Sequence, residues 1–340
     1  MPSFAIGVDL GGTSLRISAV DEHGTLLEKV TTGTQVSKGR DFVIDEMCSV
    51  IESVVAKHKG KGGLLGIGIG VPGIIDLDTG MLYESPNLPG WDHYPVREEI
   101  ERRLHTKVVL ENDANAAALG EKWLGAARDY PSMCMLTLGT GVGGGIVLNE
   151  RIWHGMTGMA GEVGHMNVEP GGHPCNCGSH GCIEQYASAT AIVRMAREAL
   201  ANLRPDSTSI LLRDISSDKE FSSRVVYQAA VQGDATAQDI YHKVGHALGI
   251  TVADLINAFN LNMYVIGGGV ASAWEAFAPS MMEEIKKRSF VYRNTGPDAK
   301  NNLGPKKTTI VTRALMGTDA GLFGAARLPM LGSEVVEQAH

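Results

Sequence analysis

Three cysteines and a histidine stand close together near the middle of the chain, in a spacing that suits a metal ion. His165 is followed by Cys175, Cys177 and Cys182, the pattern H-x9-C-x-C-x4-C. Three thiolates and one imidazole fill all the positions of a tetrahedral zinc ion, so the pattern predicts a structural site rather than a catalytic one. Cysteines that only fill a core rarely crowd a polar, glycine-rich loop, and His173 is a weaker alternative ligand to His165.

Two glutamates flank this motif. Glu162 precedes His165 by three residues, and Glu184 follows Cys182 by two. A loop fixed by a metal would present both carboxylates as acceptors at set positions, which is what recognition of sugar hydroxyls needs. The alternative is solvated surface charge, the usual setting of a lone glutamate.

A carboxylate and two glycines follow the first apolar run of the chain. Asp9 lies at the end of Phe4–Leu10, and Gly11, Gly12 and Thr13 come next. Backbone N–H groups of such a turn can face a phosphate, and Asp9 could hold Mg²⁺ directly or through water. The alternative is an ordinary type I′ hairpin, which Asp and Gly also favour. The Gly-Lys-Ser/Thr ending of a P-loop is missing.

A second glycine turn also carries a threonine. Gly139, Thr140 and Gly141 follow another apolar run and suit further phosphate oxygens. Together with Gly144 they offer the spacing G-x-G-x-x-G, but a dinucleotide site requires a helix next, and Gly145–Leu148 reads as a strand. A glycine-rich hairpin without a ligand is the alternative.

A polar pair lies where a short apolar run gives way to a helical pattern. Asn112 and Asp113 follow Val108–Leu110 and precede a helix that runs to Leu124. Ligands of open α/β sheets bind at the carboxyl ends of strands, so Asp113 could act as the general base for a hydroxyl that attacks phosphorus. Taken locally, the pattern favours a plain N-cap, for which both residue types are preferred.

The elements that must position these residues alternate between strands and helices, which predicts an α/β fold. The predicted strands are Phe4–Leu10, Ile17–Val20, Leu26–Thr32, Leu64–Val71, Val108–Leu110, Met133–Leu138, Gly143–Val147 and Met263–Ile266. The predicted helices are Phe42–Lys57, Val96–Leu104, Ala116–Leu124, Ala187–Leu200, Asp234–Asn257 and Ala314–Ala326, with a loose tail after Pro329. Each half opens with a strand, a glycine turn with a threonine, and a second strand, a short similarity that chance could also produce.

The whole chain limits the class of protein. A length of 340 residues favours two domains, and a net charge of −8 argues against a nucleic acid or an anionic membrane as partner. Met1–Leu10 lacks the basic region that begins a signal peptide, so none is expected, and no apolar run reaches the roughly 18–20 residues of a membrane span. Five cysteines, an odd number, with three of them clustered, suit a reducing compartment, so a cytoplasmic location is expected.

Taken together, these segments resemble the ROK family of bacterial sugar kinases and repressors. The resemblance extends from Asp9 to about Gly324, and its most specific part is G-E-V-G-H…C-N-C-G-S-H-G-C-I-E-Q-Y-A-S at 161–188. The continuation E-Q-Y-A-S is similar to the glucokinase members. Two departures are Arg16, where many members carry Lys, and Ala189, where Gly is expected.

The resemblance implies an actin-like, hexokinase-type architecture, with two α/β domains of ribonuclease H-like halves closing on an interdomain cleft. We expect a small domain from 1–112 plus about 316–330, and a large domain from 113–315 that carries the zinc loop. The implied activity is ATP-dependent phosphorylation of a hexose at its 6-hydroxyl, with glucose as the first expectation. ATP, Mg²⁺ and structural Zn²⁺ are the implied cofactors. A homodimer or a dimer of dimers is the expected assembly.

The resemblance also assigns roles to residues. Asp113 matches the catalytic base. The sugar-contacting positions are Asn87, Asn112, Asp113, Glu162, His165 and Glu184. The nucleotide positions are Asp9, Gly11, Gly12 and Thr13 in the first phosphate turn, Gly139, Thr140 and Gly141 in the second, and Gly267, Gly268 and Gly269 beside the adenosine. The zinc ligands are His165, Cys175, Cys177 and Cys182.

Other functions stay open at this point. The sugar could instead be N-acetylmannosamine, N-acetylglucosamine, fructose or allose, and polyphosphate could replace ATP. A sugar-responsive DNA-binding regulator is disfavoured because Asp9 lies too near the start for an N-terminal helix-turn-helix. A zinc-dependent interaction module would have no need of the nucleotide turns or of Asp113. For the kinase, loss of zinc is expected to weaken sugar binding and to leave ATP binding unchanged, because the phosphate turns lie elsewhere in the sequence.

Overall fold

The computed structural model describes residues 2–60, 62–202, 208–211, 221–300 and 304–337. The chain forms two compact units. The first comprises Met1–Ser132, Gly145–Gly161 and Leu315–His340, and the second comprises Met133–Gly144 and Glu162–Ala314. These units differ from the expected domains in that 113–132 and 145–161 pack with the first unit; the domain boundaries themselves stay a prediction.

Strands and helices alternate along both units. The strands are β1 Phe4–Leu10, β2 Ser14–Asp21, β3 Leu26–Gly33, β4 Leu64–Val71, β5 Ile74–Asp76, β6 Met81–Glu84, β7 Val108–Asn112, β8 Met133–Leu138, β9 Val142–Leu148, β10 Arg151–Ile152, β11 Met263–Gly267 and β12 Ile310–Arg313. The helices are α1 Arg40–His58, α2 Val96–Leu104, α3 Asp113–Trp123, α4 Glu184–Ala187, α5 Ala189–Ala201, α6 Ser223–Val231, α7 Ala235–Phe259, α8 Trp274–Arg288, α9 Phe290–Thr295 and α10 Ala320–Glu337. The predicted α/β class is confirmed.

The first sheet has the strand order β3-β2-β1-β4-β7. β2 pairs antiparallel with both β1 and β3, whereas β1, β4 and β7 run parallel. The parallel strands are nearly continuous apolar runs, with Ile6, Val8 and Ile69 wholly buried. Such strands need cover on both faces. The sheet therefore places the ends of three parallel strands at one edge.

The second sheet repeats this arrangement. Its order is β10-β9-β8-β11-β12, with β8, β11 and β12 parallel and β9 antiparallel to β10. In each sheet the third strand along the order is the first in sequence, and two parallel strands lie beyond it. The short internal similarity seen in the sequence thus corresponds to a repeated sheet topology.

The last helix departs from the prediction of a loose tail after Pro329. α10 continues through this proline to Glu337. The helix lies directly on β4, where a Cβ on Gly66 would stand 2.6 Å from the Pro329 side chain and one on Gly68 would stand 1.9 Å from the Ala325 carbonyl oxygen. This packing stabilises a helical segment that the proline alone would tend to end.

None of the helices in the described ranges is both long enough and apolar enough to cross a membrane.

Candidate active site

The carboxyl edge of the first sheet collects the predicted residues of the first unit. Asp9 on β1 lies opposite Gly70 on β4, and Gly70 lies opposite Glu111 on β7. Asn112 and Asp113 follow at once. Since ligands of open α/β sheets bind at this edge, the strand register itself brings the first glycine turn and the proposed base to the same place.

The first glycine turn connects β1 to β2 and is not a type I′ hairpin. Gly11 donates its N–H to the carbonyl of Ser14 at 3.0 Å, and neither Gly11 nor Gly12 has a positive φ. The glycine at position 12 is required by a neighbour instead, because a Cβ there would lie 2.6 Å from the carbonyl oxygen of Asn87. The turn and the exposed Asn87 are therefore in contact, with Thr13 exposed beside them.

Asp9 shares its carboxylate with Arg16, which faces it across the β1–β2 hairpin. Arg16 Nη2 lies 2.7 Å from Asp9 Oδ2, and the same guanidinium contacts Asp319 at 3.8 Å. Burial raises the pKa of Asp9, Arg16 opposes this rise, and the nearby Asp319 carboxylate adds to it. Arg16 thus compensates the charge only in part, and a further cation at the turn would favour the ionised carboxylate.

Asn112 and Asp113 divide the start of α3 between them. The Asn112 side chain is the N-cap and accepts the N–H groups of Ala114 at 2.9 Å and Asn115 at 3.2 Å. Asp113 is the first helical residue, and its Oδ1 also accepts the Ala114 N–H, at 2.8 Å. The predicted cap is therefore confirmed for Asn112. Its oxygen already accepts two backbone N–H groups, so a ligand would contact the amide nitrogen, which donates one N–H to the Gly73 carbonyl oxygen at 3.2 Å and has a second N–H to give.

The start of α10 borders the carboxyl edge of the first sheet. A Cβ on Gly321 would stand 3.1 Å from Asp9 Oδ2 and 3.9 Å from the Asp113 carbonyl oxygen. Gly321 therefore lies between the two acidic residues, and its lack of a side chain leaves the space beside them open.

A buried carboxylate lies directly behind the cap. Glu111 Oε1 accepts the N–H of Asn112 at 2.9 Å and the amide of Asn115 at 3.0 Å, while Oε2 lies 2.7 Å from Nε2 of His154. The Glu111 side chain is only 4% exposed. Its hydrogen bond raises the pKa of His154, against the smaller effect of partial burial. Glu111 thus ties the end of β7 to the chain around His154.

In the second unit, two glycine segments share one sheet edge. Gly139–Gly141 follow β8, and Gly267–Gly269 end β11 and continue beyond it. The two strands are parallel neighbours. Gly268 has a positive φ of 83°, and a Cβ there would stand 2.5 Å from the carbonyl oxygen of Leu138. Gly268 therefore packs against Leu138, the residue just before Gly139, so the two predicted nucleotide segments of this unit are adjacent, and Thr140 is exposed at the edge.

The structure brings His165, Cys175, Cys177 and Cys182 together, with their ligand atoms all within 4.8 Å of one another. Cys175 Sγ is 3.7 Å from His165 Nδ1, and Cys177 Sγ is 3.6 Å from Cys182 Sγ. Two sulfurs on one tetrahedral ion, with bonds of about 2.3 Å, would be about 3.8 Å apart. The four side chains therefore fit a single closed metal site.

The orientation of the His165 ring also fits a closed metal site. Nδ1 of His165 faces the cysteines, while its Nε2 lies 3.9 Å from Glu162 Oε2. His173, the weaker alternative, instead directs Nδ1 at the Pro174 carbonyl, 2.9 Å away. Burial raises the pKa of Cys182 to about 12, whereas a hydrogen bond from the backbone of Ser179 lowers the pKa of Cys177. A cation is needed to keep the buried thiol ionised.

The two flanking glutamates differ in their surroundings. Glu162 is 52% exposed and contacts the His165 ring. Glu184, the first residue of α4, is half-buried and accepts the N–H of Val142 at 3.0 Å through Oε2. Glu184 therefore touches the second glycine turn, which nothing in the sequence indicated.

Sequence reasoning missed three residues of these surroundings. Arg16 could have been found, because the β1–β2 hairpin with its turn at Gly11–Thr13 places it opposite Asp9. Glu111 was visible as an acid at the end of a buried strand, but its partner His154 was not, since 43 residues separate them. No local pattern could indicate that pairing.

The chain is similar to known proteins over nearly its whole length. The pattern that defines the ROK family matches residues 5–330. A glucokinase of Halalkalibacterium halodurans is 36% identical over 327 residues, 95% of this chain and 94% of that protein. A glucokinase of Thermotoga maritima is 41% identical over 280 residues, 82% of this chain and 86% of that protein.

A solved structure extends the likeness to the fold. The ROK family glucokinase from Streptomyces griseus, in complex with glucose and AMPPNP, matches with a TM-score of 0.77 and 32% identity, over 97% of this chain and 100% of that one. The likeness confirms the predicted α/β, actin-like fold of the hexokinase type. Its agreement with the family pattern and with the sequence relatives leaves one conclusion: this chain belongs to the ROK family.

Proposed function

We propose that this protein is an ATP-dependent glucokinase, which transfers the γ-phosphoryl group of ATP to the 6-hydroxyl of glucose. The proposal rests above all on Asp113, a carboxylate at a helix N-terminus on the ligand-binding edge of the first sheet, beside a glycine turn. The two sequence relatives described above are glucokinases, and the S. griseus protein binds glucose together with an ATP analogue.

Asp113 is the proposed general base. Its carboxylate accepts the proton of the 6-hydroxyl as the oxygen attacks the γ-phosphorus, or orients that hydroxyl while the proton leaves late. Asn87 and Asn112 are the proposed sugar contacts of the first unit. Asn112 would act through its amide N–H rather than its oxygen, because the oxygen already caps α3.

Glu162, His165 and Glu184 are the proposed sugar contacts of the second unit. Carboxylates and a ring nitrogen are suitable acceptors for hydroxyl groups. His165 would act through Nε2, because Nδ1 faces the three cysteines. A fixed Nδ1 also fixes the tautomer and direction of the ring, which sharpens the selection of a hydroxyl.

The nucleotide is assigned to the glycine segments. Gly11–Thr13 and Gly139–Gly141 supply backbone N–H groups and threonine hydroxyls to the phosphate oxygens, and Gly267–Gly269 lie beside the adenosine. Asp9, whose charge Arg16 compensates only in part, is the proposed acidic group near Mg²⁺. When bound, Mg²⁺ neutralises charge on the phosphate oxygens.

Zinc is the proposed occupant of the four-residue cluster. Three thiolates and one imidazole are the ligand set of structural zinc sites, and such sites contribute directly to folding. Reduced cysteines and the use of ATP fit a cytoplasmic protein, and a homodimer or a dimer of dimers is the proposed assembly.

The experiment that tests the proposal is an assay of ADP release coupled to NADH oxidation, run over a panel of sugars. Glucose, mannose, fructose, allose, N-acetylmannosamine and N-acetylglucosamine are compared at equal concentration, with ATP or polyphosphate as the donor. We expect the highest kcat/KM for glucose with ATP. If kcat/KM is higher for an acetamido sugar, that sugar replaces glucose as the proposed substrate. If no sugar is phosphorylated, the kinase assignment is overturned.

A further inference from the structure

The segment that follows the last cysteine of the cluster returns to the second glycine turn. Glu184 Oε2 accepts the N–H of Val142 at 3.0 Å. Ala189 donates its N–H to the carbonyl of Gly139 at 2.8 Å, and the Thr190 hydroxyl donates to the carbonyl of Thr140 at 2.8 Å. Three hydrogen bonds thus connect residues 184–190 to Gly139, Thr140 and Val142.

These bonds set the direction of the amides in the turn. In a trans peptide the N–H points opposite to the C=O of the same peptide unit. The carbonyls of Gly139 and Thr140 point toward the first two residues of α5. The N–H groups of Thr140 and Gly141 must therefore point away from α5, as donors for a phosphate would have to do.

Close packing restricts the same turn from two further directions. A Cβ on Gly141 would stand 2.4 Å from Glu184 Oε2, and a Cβ on Gly164 would stand 2.0 Å from the carbonyl oxygen of Val142. Gly164 lies in the 3-10 turn Val163–His165, which also carries the histidine of the metal cluster. The segment 163–184, which holds the metal cluster and is called the cysteine loop below, therefore contacts the glycine turn at both of its ends.

We infer that Thr190 and Glu184 are positioning residues for the nucleotide phosphates: they fix the peptide planes of Gly139–Val142 and thereby set the affinity for ATP. The inference rests on the proposed function, which assigns this turn to the nucleotide. It replaces the expectation that the cysteine loop bears on the sugar alone, because the loop and the phosphate turn are hydrogen-bonded within one unit.

Thr190 gives the clean test, since Glu184 is also a proposed sugar contact. Thr190→Val removes the hydroxyl and keeps the branched shape, and Thr190→Ser keeps the hydroxyl. The residue is exposed, so neither change disturbs a core. Each variant is titrated by calorimetry with a non-hydrolysable ATP analogue and, separately, with glucose, and the KM values for ATP and glucose are measured.

We expect Thr190→Val to weaken binding of the ATP analogue about 3- to 10-fold, the scale of one lost hydrogen bond, and to raise the KM for ATP in parallel. Glucose affinity stays at the wild-type value, and Thr190→Ser restores ATP affinity. Unchanged nucleotide affinity in Thr190→Val overturns the inference. An equal loss of both affinities that Ser does not restore also overturns it, since that indicates general damage to the unit.

The wild-type titration separates this failure from failure of the proposed function. If the wild-type protein binds the ATP analogue and phosphorylates glucose while Thr190→Val behaves identically, the inference alone is wrong. If the wild-type protein binds no nucleotide, the proposed function is wrong and the inference falls with it.

Discussion

Asp113 shares the start of α3 with Asn112, and of the two it is Asn112 that occupies the N-cap position. An aspartate at a helix start is ordinarily explained as a cap. Here Asn112 occupies the N-cap position and accepts two backbone N–H groups, so α3 does not depend on Asp113 for its cap. Because Asn112 provides the cap, the Asp113 carboxylate is a candidate for function, although its Oδ1 also accepts the Ala114 N–H at 2.8 Å.

We expect Asp113→Asn to lower kcat by about 10²–10⁴-fold, the usual effect of losing a general base, while glucose affinity is largely kept. The measurement is kcat from the coupled assay together with a glucose titration. Asp234→Asn is the matched control, because Asp234 is a true N-cap whose carboxylate accepts the N–H of Ala237. The control should leave kcat unchanged and lower thermal stability, because an amide nitrogen would replace the oxygen that accepts the Ile210 N–H at 2.6 Å. Near wild-type kcat in Asp113→Asn would return this residue to a structural role.

The pair of Glu111 and His154 predicts a pH-dependent contribution to stability. Because the Glu111 carboxylate raises the pKa of His154 in the folded state, the pair stabilises the fold most when the histidine is charged in both states. That contribution is fully present below about pH 6.5, the ordinary pKa of histidine, and is lost as the pH rises through the raised value. The His154 side chain is 36% exposed, so solvent screens part of its interaction with Glu111.

We therefore expect His154→Gln to lower the free energy of unfolding at pH 6. Above pH 8 the free energy of unfolding of the variant should approach that of the wild-type protein. The measurement is denaturant unfolding of both proteins across that range. His23→Gln is the control, since His23 belongs to the same unit and is 76% exposed. A difference between wild type and His154→Gln that does not change with pH would contradict the charge-based account.

At the scale of elements, glycine decides how closely α10 can approach its neighbours. A Cβ on Gly7 of β1 would stand 2.3 Å from the Leu322 carbonyl oxygen of α10. On α3, a Cβ at Gly120 would stand 2.1 Å from the Ala320 carbonyl oxygen, and on α10 one at Gly324 would stand 1.6 Å from the Ala116 carbonyl oxygen. The backbones of α3, α10 and β1 are therefore in direct contact, and this contact sets where Asp113 and Gly321 lie.

We expect Gly324→Ala to destabilise the protein by at least about 1–3 kcal/mol, the scale of overpacking, because the nearest atoms are backbone and cannot rotate away. A gain in helix propensity of up to about 1 kcal/mol offsets only part of this cost. Gly63→Ala is the control: its nearest neighbour would be the Ser3 hydroxyl at 3.7 Å, and little change is expected. Equal stability of the two variants by denaturant unfolding would show that α10 can move aside.

At the scale of the whole molecule, the sequence predicted most strands because buried runs and turn residues are local signals. The helix α2 was predicted with the bounds it has, Val96–Leu104. β12 and α8 were not predicted. β12 is a four-residue strand with no buried residue, and α8 contains Pro279, which interrupts the helical pattern.

The repeated sheet order was only weakly visible in sequence, since topology depends on strand pairing rather than on composition. The predicted catalytic and metal-binding residues cluster in short motifs such as 161–188, whereas His154 and Thr190 contact residues that lie 43 and 50 positions away in the sequence. Contacts of that kind are set by the fold and leave no local signal.

The last prediction concerns how the two units respond to loss of the metal. The cysteine cluster lies wholly in the second unit. Chains built of separate compact units need not unfold in one step. A structural zinc contributes several kcal/mol to folding, and each kcal/mol shifts Tm by about 2–4 °C for a domain of this size. We therefore expect chelation to lower the Tm of the second unit by roughly 10 °C and to leave that of the first unchanged, as measured by scanning calorimetry.

The tryptophans assign the transitions. Trp91, Trp123 and Trp153 belong to the first unit and Trp274 to the second, so the fluorescence of Trp274→Phe reports the first unit alone. Cys182→Ser should unfold like the chelated protein and lose its response to chelator. Cys134→Ala, which changes a buried cysteine of the same unit outside the cluster, should keep that response. Removing a ligand lowers the stability only of the structure that unfolds together with its site. A single transition that shifts as a whole on chelation would therefore mean that the metal stabilises both units together.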